Sequence, residues 1–128
     1  KSLFDKRVAT YPMLYSYLSG YVKIIQYKKQ NKKNLAQLRD NLDDWNNKNG
    51  IFFTMPTGRL SARFRRYLNY LLGSKSQITD QDWKAISVII GHFESFIRTE
   101  IGVSSVQPVG NITGIEDIYK FIDERIQG

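Results

Sequence analysis

Apolar residues return every three or four positions along most of this chain, and this spacing constrains its fold more than any other feature. Such a spacing puts the apolar side chains on one face of an α-helix, whereas a half-buried strand needs alternation at every second position. The chain has 128 residues and no cysteine, so no disulfide scaffold is available to it. A chain of this length can bury a substantial core without one. The sequence therefore predicts a single all-α domain over residues 1–128, a helical bundle of about four principal helices plus a short C-terminal helix.

The first helical segment is interrupted by a proline. Its stripe resembles a heptad seam and consists of Phe4, Val8, Tyr11, Tyr15, Leu18, Val22 and Ile25. Leu3, Leu14 and Tyr21 widen this stripe, which suits a bundle core better than a two-stranded coil. Pro12 lies inside this pattern, where it lacks a donor N–H and clashes with the preceding turn. Pro12 should therefore kink the helix or start a new one, and we predict a short helix through Ala9 and a long helix that begins at Pro12.

The remaining segments have recognisable ends. Asn46–Gly50 closes the second helix, and Ile51–Pro56 reads as an extended connector before a third helix capped by Thr57. The third helix stops at Gly73, and Thr79 with acids in the following turn predicts the start of a fourth. Gly102 ends it, Val103–Gly114 reads as irregular, and a last helix is predicted over Ile115–Ile126. The predicted buried faces are Leu35, Leu38, Leu42 and Trp45; Leu60, Phe64, Tyr67, Leu68 and Leu71; and Trp83, Ile86, Ile90, Phe93 and Ile97.

Positive charge is concentrated in the first part of the chain. Residues 1–73 hold 14 Lys/Arg and 4 Asp/Glu, whereas residues 74–128 hold 5 and 8, within a formal net charge of +7. A basic region attracts nucleic acid, anionic lipid or acidic proteins, although a solvated basic surface explains it equally simply.

No catalytic or metal-binding pattern emerges. His92 is the single histidine, and the sequence identifies no nucleophile or orienting carboxylate to accompany it, so we predict a structural or surface role. Without cysteine or calcium-loop spacing, we expect neither a metal nor a cofactor, and we expect no enzymatic activity. Gly58 and Arg59 at a helix start lack the spacing of a phosphate-binding loop.

The sharpest surface feature is a basic stripe on the third helix, here called the arginine stripe. It consists of Arg59, Arg63, Arg66 and Tyr70, spaced four, three and four, with Arg65 beside it. Arginine forks bind phosphate and carboxylate, and a tyrosine can stack on a base, so the stripe is a candidate site for nucleic acid or another anionic ligand. The alternative is internal pairing with Asp40, Asp43 or Asp44 of the preceding helix.

Two strings resemble a group of bacterial domains. Lys6 to Leu14 reads KR, three residues, YP-x-L, and Phe93 to Ile101 is similar to a second string of that group. The group comprises uncharacterised helical domains that often follow an N-terminal membrane helix or coiled coil. The resemblance implies a helical fold and a cytoplasmic domain, at the inner face of the membrane where such an anchor precedes it. It implies no activity, so no functional residue is transferred.

These observations favour an interaction domain. The chain begins at Lys1, which suggests a piece of a longer protein, and we expect a non-enzymatic domain that binds a protein partner. Nucleic-acid binding through the arginine stripe is the alternative. Membrane contact is expected only through a segment outside this sequence.

Overall fold

The computed structural model describes residues 2–75, 77–103 and 114–128 of the chain. Within these residues it contains helices and no strands. The helices are α1 (Leu3–Gln26), α2 (Lys32–Asn49), α3 (Met55–Gly73), α4 (Asp80–Glu100) and α5 (Ile115–Gln127), with a 3₁₀ turn at Gly50–Phe52 between α2 and α3. The predicted helical bundle of four main helices and a C-terminal helix is confirmed.

Helices α1 to α4 form an antiparallel bundle in which each packs on the next and α1 also packs on α4. Cross-helix hydrogen bonds show the alternating directions. Trp45 Nε1, near the end of α2, donates to the Thr10 carbonyl of α1 at 3.1 Å, and Lys32 Nζ at the start of α2 lies 3.5 Å from the Ser74 carbonyl after α3. One end of the bundle therefore gathers the starts of α1 and α3 with the ends of α2 and α4. Helix α5 packs against α3 and α4.

The predicted buried faces of α2, α3 and α4 agree with the structure. Every residue named above for these faces is buried except Trp83, which is partly exposed. Helix α5 contributes Ile118 and Ile122 to the same core. These faces follow directly from helical periodicity, because the polar side of each helix is clearly distinct.

Helix α1 buries only part of the predicted face. Its fully or nearly fully buried residues are Tyr11, Leu14, Leu18 and Tyr21. Phe4 and Val8, which belong to the predicted stripe, are 49% and 44% exposed. Part of the apolar stripe of α1 is thus left uncovered by the rest of the chain.

The predicted break at Pro12 is wrong, because α1 runs without interruption from Leu3 to Gln26. A proline inside a helix costs about 3 kcal/mol, since one backbone hydrogen bond is lost and the ring crowds the preceding turn. Tyr11 and Leu14 are fully buried on either side of it, and Trp45 holds the Thr10 carbonyl. Packing on both sides of the proline offsets its cost.

Most predicted helix ends are confirmed, but the start of α3 is not. Thr54, rather than Thr57, caps α3, and Pro56 lies in the first turn, where the helix needs no N–H donor. The connector is therefore a 3₁₀ turn followed by helix and not an extended segment. Thr79 caps α4 as predicted, and Asp82 in the first turn completes a capping box with it. The prediction of an irregular segment falls almost entirely on residues 104–113, outside the described part of the chain.

We expect Pro12→Ala to raise the free energy of unfolding by about 1–2 kcal/mol, because alanine restores a backbone donor inside a helix that is already formed. Urea unfolding followed by circular dichroism measures this change. The matched control is Ala9→Pro, one turn earlier on α1, which should destabilise the chain. Lower stability of Pro12→Ala would show that the proline is adapted to this position.

Candidate interaction site

The centre of the arginine stripe is occupied by α5. The guanidinium of Arg63 lies over the Tyr119 ring, 4.4 Å from its centroid, and Arg63 Nη1 is 3.3 Å from Asp123 Oδ2. Arg66 lies on the same side, with Nη1 4.0 Å from Asp123 Oδ1, while 61% of its side chain stays exposed. These arginines therefore already have a partner within the chain, the α5 residue Asp123, which lies 60 residues after Arg63.

The other members of the stripe have separate surroundings. Tyr70 is partly buried, and its hydroxyl accepts a hydrogen bond from Arg125 Nη1 at 3.3 Å. Arg59 is exposed in the first turn of α3. Only Arg59 and Arg66 of the predicted site thus present their charge mainly to solvent, and anion binding by the stripe stays a prediction.

The predicted internal pairing with α2 occurs at one position. Arg65 Nη1 lies 3.3 Å from Asp43 Oδ1. Asp40 pairs instead with Arg39 at 2.8 Å, and Asp44 with Lys48 at 3.1 Å. The acids of α2 therefore neutralise Arg65, which flanks the stripe, and not the stripe itself.

A buried carboxylate fastens α5 to the bundle. Asp82, at 0% exposure, receives both Nε and Nη2 of Arg125, each at 3.1 Å, and the Tyr67 hydroxyl at 2.6 Å. The Thr79 backbone N–H and hydroxyl also donate to it. Burial by itself raises the pKa of Asp82, but the hydrogen bonds from Arg125, Tyr67 and Thr79 outweigh it and lower that pKa below the ordinary carboxyl value. The single site unites α3, α4 and α5.

A second carboxylate closes the opposite end of the bundle. Glu100 is the last residue of α4. Its carboxylate accepts hydrogen bonds from the Tyr11 hydroxyl and from Thr54 Oγ1, each at 2.6 Å, and also from the Thr57 hydroxyl. Arg7 Nε donates to the Phe52 carbonyl at 2.7 Å and lies 3.9 Å from Glu100 Oε1. Burial, followed by the hydrogen bond to Glu100, raises the pKa of Tyr11. Arg7 and Tyr11 of the KR-x3-YP-x-L string therefore serve to join α1, α4 and the connector.

Asp82 is fully buried, and Glu100 is partly buried. Both are saturated with donors from side chains and backbone, which leaves neither available as a general base in this conformation. His92 is half-buried on α4. In the described ranges, no three or more His, Asp or Glu side chains are grouped so that they could hold a metal ion.

The exposed apolar side chains collect at one end of the bundle. Among the eight large apolar residues that are exposed in the described part of the chain, six lie at or near the starts of α1 and α3 and the ends of α2 and α4. We call this surface the apolar end, and its members are Leu3, Phe4, Val8, Ile51, Met55 and Val103. Ile51 and Met55 are 83% and 82% exposed.

A groove between α1 and α4 adjoins the apolar end. It has a volume of about 350 Å³ and is lined by Pro12, Tyr15, Ile97, Arg98, Ile101 and Val103. The turn after α4 is close to α1, because the Phe4 ring lies 3.9 Å from the position of a Cβ on Gly102. Gly102 has a φ of +78°, a conformation that glycine adopts without strain, and it lets the chain turn beside Phe4. The groove therefore adjoins the apolar end at Val103, which belongs to both.

Sequence reasoning did not identify the residues that organise these sites. Asp82 is recognisable in the sequence as an acid in the first turn of α4, but its pairing with Arg125 depends on how α5 docks. Glu100 carried one usable signal: an acid in the last turn of a helix is unfavourable to the helix dipole unless donors surround it. The spacing of Phe4 and Val8 does not predict their exposure, because it shows only that they share a helix face and not how much of that face other helices cover.

No family model, curated protein or solved structure matches this chain. The resemblance of the opening string to bacterial helical domains therefore stays a prediction. None of the described helices combines the length and the apolar character needed to cross a bilayer.

We expect Asp82→Asn to lower the free energy of unfolding by about 3 kcal/mol at pH 7, since it removes the buried carboxylate that pairs with the partly buried guanidinium of Arg125. Because the folded-state pKa of Asp82 is lowered, its contribution is present above the unfolded carboxyl pKa of about 4 and is lost as the pH falls below it. The difference between the variant and the wild type should therefore shrink below pH 4. Urea unfolding at pH 7 and at pH 3 measures both effects.

The matched control for Asp82→Asn is Asp80→Asn, an exposed acid in the same first turn of α4. Its effect at pH 7 should stay below about 1 kcal/mol, the contribution of an exposed charge to the helix dipole. Equal losses from the two variants would mean that the dipole, and not the pairing with Arg125, explains the role of Asp82.

Proposed function

We propose that this chain is a non-enzymatic helical domain that binds another protein through the apolar end. The observation that carries this proposal is the clustering of six exposed apolar side chains beside a groove. Single exposed apolar residues are common on soluble proteins, but a contiguous cluster is typical of a binding surface. The exposure is also not a consequence of a poor core, because the buried faces of α2 to α4 are well covered.

Burial of this surface would supply the binding free energy. Fully covering a leucine, valine or phenylalanine side chain contributes about 1.5–3 kcal/mol. Leu3, Phe4 and Val8 are each about half exposed, so a partner that covers them would gain a substantial part of this free energy from each. Apolar residues at the centre of an interface commonly dominate its energetics.

The charges around the apolar end indicate the chemistry of the partner. Lys6, Arg59 and Arg98 are exposed near it, on the first turns of α1 and α3 and the last turn of α4. Cations around an apolar groove suit an amphipathic helix whose apolar side chains enter the groove and whose acidic side chains flank it. We therefore propose such a helix, from a partner protein, as the occupant.

The arginine stripe is a weaker candidate for the same role. Arg63 already has both an aromatic ring and a carboxylate against its guanidinium. A nucleic-acid ligand at the stripe would have to compete with α5 for it.

A non-enzymatic role is further supported by the hydrogen bonds that already occupy the carboxylates of Asp82 and Glu100. A cytoplasmic bacterial setting stays a prediction from the sequence.

The test compares Val8→Glu with Met13→Glu. Both residues are exposed apolar side chains of α1, at 44% and 58%, but only Val8 belongs to the apolar end. The partner is first captured by chemical cross-linking in the native host, then purified, and its affinity is measured for each variant. We expect Val8→Glu to weaken binding at least tenfold, because a buried unpaired carboxylate costs more than 1.4 kcal/mol, and Met13→Glu to leave binding unchanged.

Thermal unfolding confirms that both variants are folded, which is expected because both sites are on the solvent-exposed side of α1. The proposal is wrong if the partner binds Val8→Glu and the wild type equally well. It is also wrong if cross-linking through the apolar end captures no protein.

A further inference from the structure

Lysines gather at the end of the bundle opposite the apolar end. We call this surface the basic end, and its members are Lys28, Lys29, Lys32, Lys33, Lys75 and Lys84. Four of them lie on the corner between α1 and α2, Lys75 follows α3, and Lys84 lies in the second turn of α4. The contact of Lys32 Nζ with the Ser74 carbonyl joins two of these regions, and Lys28 and Lys84 line one cavity.

The positive charge of this end is not neutralised internally. None of the six lysines lies within ion-pair distance of a carboxylate among the residues that the structure describes, whereas Arg63, Arg65 and Arg125 all do. Two acids lie beside these lysines: Asp80 lines the same cavity as Lys28 and Lys84, and Asp117 lines another cavity with Lys84. Six lysines against these two acids leave the basic end with a net positive charge. Four of these lysines, Lys28, Lys29, Lys32 and Lys33, belong to the basic first part of the chain.

The start of α2 adds a local reason to bind an anion. Lys32 and Lys33 are its first two residues, and its first turn contains no acid. Cations at the N-terminus of a helix are unfavourable to the helix dipole, by about 0.3–1 kcal/mol in general for such charges. An anionic partner that approaches both lysines would relieve this repulsion.

Aromatic and apolar groups lie among the lysines. Tyr27 is 72% exposed between α1 and Lys28. The cavity bounded by Lys28 and Lys84 has a volume of about 840 Å³ and also includes Ile25, Trp83 and Val88. Gln30 lines it as well, and its side-chain oxygen is buried with no hydrogen-bond donor among the described residues. The surface thus combines cations, an amphipathic ring and a partly apolar recess.

We infer that the basic end binds the surface of an anionic phospholipid bilayer. Lysine side chains attract such a surface as point charges, and exposed tyrosine prefers the interface between headgroups and acyl chains. The sequence had indicated membrane contact only through a segment outside this chain, so this surface is a separate means of contact.

Nucleic acid fits the same surface less well. The lysines lie on helix ends and connections, so no helix presents a row of cations that could enter a groove of duplex DNA. Arginine recognises phosphate and bases through its fork, and the guanidinium of Arg125, which lies at this end, is already paired with Asp82. The inference goes beyond the proposed function, since the apolar end lies at the other end of the bundle and stays free for a protein while the basic end contacts lipid.

Co-sedimentation with vesicles tests this inference. The probes are phosphatidylglycerol vesicles and neutral phosphatidylcholine vesicles, each at 50 and 300 mM salt, with the full chain. The variant Lys29→Glu/Lys32→Glu/Lys33→Glu is compared with a matched control, Lys6→Glu/Lys48→Glu/Lys120→Glu, which carries the same net charge. Two of the three changes in the first variant place acids at the start of α2, where they favour the helix, so its folding should be retained.

We expect the wild type and the control to bind the phosphatidylglycerol vesicles at 50 mM salt and to lose most binding at 300 mM. The basic-end variant should partition at least tenfold less. Equal binding to neutral vesicles, or equal loss in the control, would overturn the inference. So would salt-dependent binding of a single-stranded or duplex oligonucleotide that is tighter than binding to the vesicles and depends on the same three lysines.

Discussion

The pairing of Arg125 with the buried Asp82 is the interaction on which the arrangement of the surface depends. A buried carboxylate without a cation would be strongly destabilising, so α5 must dock where its arginine can reach Asp82. That position brings Tyr119 and Asp123 over the middle of α3. The docking of one helix thereby converts part of an arginine stripe into an internal contact. The two ends of the bundle stay exposed, one with apolar side chains and the other with lysines that have no ion-pair partner among the described residues.

The sequence predicted the helices well because helical periodicity is a local property. The apolar faces of α2, α3 and α4, and the capping box at Thr79, depend on residues within a few positions of one another. The prediction failed at Pro12 because a local rule was outweighed by packing against distant residues such as Trp45. It failed at Thr57 because two threonines three residues apart were both compatible with a cap, and the position of Pro56 in the first turn selected the earlier one.

The surfaces could be predicted less well, because charge and exposure depend on which helices meet. Arg63 and Asp123 are 60 residues apart, so nothing in the spacing of the stripe indicates their contact. The lysines of the basic end are also dispersed along the chain, and only the antiparallel order of the bundle brings Lys75 and Lys84 towards the corner of Lys28 to Lys33. The uncovered part of the α1 stripe is similarly a consequence of how α2 and α4 pack against that helix. Two ends of opposite chemistry, one apolar and one basic, are the result.

The central claim is that a partner protein covers the apolar end and not the arginine stripe, and side-chain footprinting with hydroxyl radicals tests it most directly. The free chain and its complex with the captured partner are labelled, and the modification of each residue is measured by mass spectrometry. The account predicts strong labelling of Phe4, Ile51 and Met55 in the free chain and clear protection of all three in the complex, with Tyr27 at the basic end unchanged. Protection confined to α3 and α5 around Arg66, with the apolar end still labelled, would contradict it.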